Sequence, residues 1–95
     1  MQISRIVWSE VVVRCPSDPS HDEVFQQATL TFNPQIKSLE VREETTAHHP
    51  KSALYARAKF VSLTPDSVEF TANWWSSKLD SDEMTMVPVT VTAVF

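Results

Sequence analysis

The chain has 95 residues and 42% hydrophobic content, which bounds it to one domain, 1–95, with one modest core; at this size roughly 60–68% of the unfolded chain's surface is buried on folding. Its net charge of −4 argues against nucleic acid or an anionic membrane as partner, because such binders need a basic footprint to displace counterions. It has no glycine at all, which removes P-loops and dinucleotide fingerprints, whose backbones approach phosphate through glycine.

Residues 1–13 (MQISRIVWSEVVV) contain neither a long apolar run nor a small-residue cleavage site. Neither a signal peptide nor a membrane span is expected there. Ile3 to Cys15 is rich in β-branched residues and predicts the first strand. Apolar side chains occupy both of its phases, Val7, Val11 and Val13 on one, Ile6, Trp8 and Val12 on the other. That pattern suits a strand covered on both faces, or one with a bulge near Ser9-Glu10. Cys15, the only cysteine, has no partner for an internal disulfide, which points to a reducing, cytoplasmic setting. The loop CPSDPSHDE ends in Ser20-His21-Asp22-Glu23, the pattern of a capping box, and predicts one helical turn within 21–27. Alternation then marks a strand at about 27–33, with Ala28, Leu30 and Phe32 inward and Gln27, Thr29 and Thr31 outward. Asn33-Pro34-Gln35 reads as a turn, and Ser38 to Glu44 as the next strand, with Leu39 and Val41 inward.

Thr45 to Ser52 is a polar loop that holds His48 and His49. Ala53 to Leu63 sets Leu54, Ala56, Ala58 and Phe60 on one face and Tyr55, Arg57 and Lys59 on the other. Its alanines suit a helix, but period two fits better than 3.6, so a strand is expected. After a turn at Thr64-Pro65-Asp66-Ser67, the segment Ser67 to Trp75 alternates again: Val68, Phe70, Ala72 and Trp74 against Glu69, Thr71, Asn73 and Trp75. Ser76 to Glu83 is a charged loop. Met84 to Phe95 is a last strand whose phase slips at Pro88, which signals a bulge or an edge. Together these elements predict an all-β domain, or α+β if a short helix forms near 21–27. About six mainly antiparallel strands would form a small sandwich or partly open barrel.

The hairpin over 53–75 permits a sharper expectation. Residues opposite one another on paired strands point to the same face. One register sets Phe60 against Phe70, Ala56 against Trp74 and Tyr55 against Trp75; the other sets Phe60 against Ala72, Ala58 against Trp74 and Arg57 against Trp75. In both, Trp74 packs over an alanine and belongs to the core. Trp75 then points outward with Tyr55, Arg57, Lys59 and Asn73. Trp, Tyr and Arg are enriched at interface hot spots, and an Arg over a Trp face gains cation–π attraction. The strip is therefore the expected partner-binding surface, for another protein or for a second copy in a C₂ dimer.

Signs of chemistry are sparse. His48 and His49 are adjacent, so their side chains diverge on an extended loop, and no metal-ligand spacing is present. The spacing of Asp80, Asp82 and Glu83 matches a fragment of a calcium loop but lacks its turn glycine. No G-x-S-x-G elbow exists without glycine. No catalytic residue, metal or cofactor is expected. The reading is a small, cytoplasmic, non-catalytic protein–protein interaction domain: an adaptor, inhibitor or assembly subunit. The alternative is a small-molecule-binding β-barrel or minor enzyme using the loops 15–23, 45–52 and 76–83.

Overall fold

Six antiparallel strands close into a barrel in the order in which they occur in the chain. The structure is a computed structural model that describes residues 6–44, 51–77 and 84–95, without the side chains of 75–77 and 84–85. The strands are β1 (Trp8–Arg14), β2 (Glu23–Asn33), β3 (Ser38–Glu43), β4 (Ser52–Leu63), β5 (Ser67–Ser77) and β6 (Met84–Val94). β1 closes the barrel by pairing with β6 from Glu10↔Val94 to Arg14↔Thr90. Closure leaves few free edges, which resolves the choice between sandwich and barrel in favour of the barrel. Among the described residues, no helix is long and apolar enough to cross a membrane.

The core follows the sequence alternation in β3, β5 and β6. Val11, Val13, Phe25, Ala28, Leu39, Val41, Val91 and Ala93 are almost completely buried. A six-stranded barrel is narrow, and inward alanines make room for large neighbours. Trp8 sits opposite Ala28, Val68 opposite Ala93, and Ala72 opposite Val89. Each fully buried side chain such as Phe25 or Leu39 contributes about 1.5–3 kcal/mol. The phase change expected at Ser9-Glu10 is visible, since Trp8 and then Val11 and Val13 are the buried residues of β1. β2 changes phase opposite it, because Phe25 and Ala28 are both buried while Gln26 and Gln27 are exposed.

Three expectations need correction. No helix forms over 21–27: a single 3₁₀ turn, Pro19–His21, is capped by Asp18 rather than Ser20, and Glu23 already begins β2. Asp18 wins because Pro19 pre-sets the first helical φ and the Asp18 carboxylate accepts from the Ser20 amide. No slip occurs at Pro88. The β5–β6 ladder runs unbroken from Ser67↔Val94 to Ser77↔Met84, with Val87, Val89, Val91 and Ala93 at successive alternate positions. Of the two alternatives, the edge is the one found: Pro88 lies beyond the last β1–β6 pair, Arg14↔Thr90, where β6 is paired with β5 alone and the missing N–H breaks no β1 ladder. The third correction concerns the 53–75 hairpin. Phe60 does face Phe70, but the register shifts on both sides of that pair, and Ala56 stands opposite Asn73 instead of Trp74.

The absence of glycine leaves its mark on the backbone. Gln27, Lys37 and Arg57 adopt positive φ, at 50°, 55° and 51°. Side chains with a Cβ enter this region at a cost of about 1–2 kcal/mol. Two of these residues use their carbonyls to bridge strands: Glu44 N–H donates to Gln27 (2.7 Å) and Ala58 N–H donates to Lys37 (2.8 Å). The remaining turns are closed by side chains. Asn33 accepts from the Gln35 amide (3.0 Å), and the Thr64 hydroxyl accepts from the Ser67 amide (3.0 Å).

Candidate functional site

The expected aromatic-basic strip is only partly assembled. Tyr55 is not on it. The ring is turned into the barrel and is only 3% exposed, whereas Leu54, expected inside, is 63% exposed. The cause is the left-handed residue Arg57 and the register shift between Ala56 and Lys59, which reverse the inside–outside phase of the strand N-terminal to them. Arg57 and Lys59 are exposed as expected, and Asn73 is half-buried. Trp75 belongs to β5, opposite Met86, but its side chain lies outside the described residues.

Trp74 points inward, as expected, yet it is half-buried at a barrel end instead of lying at the centre. Its ring lies 4.8 Å from that of His21, which is itself 3.0 Å from the Asp18 carboxylate. A hydrogen bond from the Ser20 hydroxyl, with further help from the Ser20 amide and His21, holds the Asp18 carboxyl below its ordinary range. Beneath these groups a small cavity of about 80 Å³ is lined by Val13, His21, Glu23, Ala53, Tyr55, Trp74 and Val89. Burial, and secondarily the charge of Glu23, raises the pKa of Tyr55 to about 12. Lys51 closes this side by an ion pair with Glu23 (2.6 Å) and sits over the Phe25 ring at 4.6 Å. The cavity is too small for an organic ligand. Of the three loops expected to carry a small-molecule site, only 15–23 is fully described; His48, His49, Asp80, Asp82 and Glu83 lie outside the described residues.

The larger cavity lies at the opposite end, where the β2–β3 and β4–β5 turns are. Its volume is about 560 Å³. The apolar part of the wall is made by Ile6, Trp8, Leu30, Phe32, Val68 and Phe70. The polar part is made by Thr29, Thr31, Glu40 and Arg42. The strand pairing explains this division. β2 continues against β3 to Asn33↔Ser38, but its pairing with β1 stops at Trp8↔Ala28. The opening therefore spans the β2 stretch beyond Ala28, and alternation along it puts Leu30 and Phe32 on the barrel side and Thr29 and Thr31 on the other. Phe32 and Phe70 meet at 5.3 Å, Phe60 packs on Phe70 edge-on at 5.9 Å, and Phe95 stacks on Trp8 at 4.4 Å. Around this end Ile36, Phe60, Leu63 and Phe95 are each more than half exposed.

The sequence held two signals for this site. Phe32 is the last inward residue before the Asn33-Pro34 turn, and a large apolar group there stands at a barrel mouth. Phe60, Val61 and Leu63 occupy both phases of β4, more than one buried face can absorb. No family model matches the chain, and neither a curated protein nor a solved structure does.

Proposed function

We propose that this protein is a non-catalytic binding barrel that holds a small apolar molecule in the cavity at its turn end. One observation carries the reading: about 560 Å³ of space walled by Trp8, Phe32 and Phe70. That volume lies within the usual range of ligand sites, as does the pairing of apolar walls with a few polar groups. The small-molecule alternative is thus retained, with its site moved from the loops 15–23, 45–52 and 76–83 to the other end of the barrel. Calorimetric titration with dodecanol tests it. Binding with a negative heat-capacity change is expected, and it should be lost in Leu30→Trp, which fills the cavity. Absence of dodecanol binding by the wild-type protein overturns the proposal.

A second reading keeps the protein–protein contact. The outer half of β4 presents Arg57 and Lys59 next to exposed Phe60, Val61 and Leu63. An apolar patch rimmed by charge is the composition of a contact surface. This surface would serve a protein partner or a homodimer, within the reducing cytoplasm that the lone Cys15 fits. Light scattering over a concentration series tests the homodimer. A mass that rises in the wild type and not in Phe60→Asp/Leu63→Asp supports it, and a monomeric mass throughout removes it.

A further inference from the structure

Resting on the small-molecule reading, we propose that the ligand class is a single-chain amphipathic carboxylate, with its tail against the wall formed by Trp8, Leu30, Phe32 and Phe70 and its head at Arg42. The division of the cavity wall carries this. Apolar and polar residues are not mixed over the lining. Leu30 and Phe32 lie on the barrel face of β2 with the apolar residues of β1 and β5, and Thr29 and Thr31 lie on its other face with Arg42 and Glu40 of β3, so a molecule crossing the opening passes from an apolar to a polar environment.

The polar side selects the head. Arg42 is exposed, faces Thr29 across the β2–β3 ladder, and has no ion-pair partner among the described residues. Its guanidinium offers the planar donor fork that matches a carboxylate. Thr31 stands two pairs further along on the same face, opposite Glu40. Thr29 is already engaged, its hydroxyl set toward the Arg42 carbonyl (3.5 Å) and the Glu44 carboxylate (3.3 Å). Glu40 brings one negative charge to the same side. That one charge disfavours a dianion such as a phosphate monoester more than a monoanionic head beside Arg42.

The experiment compares decanoate, dodecanoate, dodecanol and dodecylamine, all below their aggregation limits, by calorimetry on the full chain. Each methylene added to the carboxylate should tighten binding about fourfold until the cavity is full. Dodecanoate should bind about threefold to fivefold more tightly than dodecanol, the modest gain of an exposed charge pair, and dodecylamine more weakly than either. Arg42→Gln should abolish the preference for the carboxylate while leaving dodecanol binding unchanged, and Glu40→Gln should increase that preference. Added salt should weaken dodecanoate binding in the wild type only. If dodecanol binds as tightly as dodecanoate, or if Arg42→Gln leaves the preference intact, the assignment of the head is wrong and the apolar-ligand reading stands. If no tail binds, both fall. The tail series uses the unaltered protein, so it does not depend on any variant folding.

Discussion

Tyr55 is the only tyrosine in the chain, and its surroundings make stability fall at high pH in a calculable way. The phenol ordinarily titrates near 10.0, and burial, with the charge of Glu23 added, raises it to about 12 in the folded protein. Between those values the unfolded chain has lost the proton that the folded chain keeps. Unfolding then releases a proton, so rising pH favours the unfolded state. The stabilisation is fully present below pH 10.0 and disappears as pH rises through about 12. Its size is roughly 2–3 kcal/mol, with a limiting slope of about 1.4 kcal/mol per pH unit within the window. Urea unfolding of the wild type and Tyr55→Phe at a series of pH values measures it. The difference between the two curves isolates the phenol, because every other titrating group is common to both proteins. Tyrosinate absorbance of the folded protein reads the phenol directly, with no second tyrosine to interfere. A native midpoint near 10, or wild-type and Tyr55→Phe curves that stay parallel from pH 9 to 12, would refute the inward placement of Tyr55.

Further expectations test the backbone and the β1–β2 connection. Lys37→Gly removes a Cβ from a left-handed residue, a gain of about 1–2 kcal/mol, against a glycine entropy cost of about 0.5–1 kcal/mol. The net should be a rise in thermal midpoint of up to several degrees, and Lys37→Val should lower it. Asp22→Ala removes the carboxylate that accepts from the Cys15 amide at 2.7 Å and should cost about 1–3 kcal/mol in denaturant unfolding, with Asp22→Asn in between. Cys15 is 1% exposed, so a thiol reagent should label it only as fast as the protein opens, with labelling accelerated by urea.

The elements themselves were legible because half-buried strands write their burial into the sequence with period two. β3, β5 and β6 lie close to where alternation put them, and Leu39, Val41, Val68, Phe70, Val89 and Val91 are buried as that alternation requires. β2 was harder to bound. Its first half carries Val24, which is 46% exposed beside buried Phe25, and a Ser20–Glu23 pattern that mimics a helix start. A local propensity signal was overridden by pairing with β1 from Val13↔Glu23 onward. Phe32 and the run from Phe60 to Leu63 mark the turn end as apolar, but they do not show a cavity there. It depends on where the β1–β2 ladder stops, a non-local fact that no spacing records.

The error at Tyr55 has a more specific cause. Parity arguments carry inside and outside along a strand only while the backbone stays regular, and one bulge inverts everything beyond it. Bulges of this kind usually announce themselves, because glycine is the residue that takes positive φ without penalty. Here the left-handed positions fall on Gln27, Lys37 and Arg57, side chains that otherwise read as ordinary outward strand or turn residues. A narrow closed barrel needs such corners to bend its strands. In a chain without glycine they exist but are silent. Of the two registers the alternation allows, Phe60↔Phe70 is the one observed, although Phe60, expected inside, is 55% exposed; back across Arg57 the phase is reversed, with Tyr55 in the interior and Leu54 at the surface. The same corner ends the β3–β4 ladder, with Ala58 donating to the left-handed Lys37 instead of continuing a regular strand pair. Beyond it, β4 leaves β3 and presents Phe60, Val61 and Leu63 at the end of the barrel where the larger cavity opens. The first register shift of β4, between Ala56 and Lys59, thus takes Tyr55 out of the expected contact strip, and the second, between Phe60 and Ser62, lies among the apolar residues at the end of the barrel.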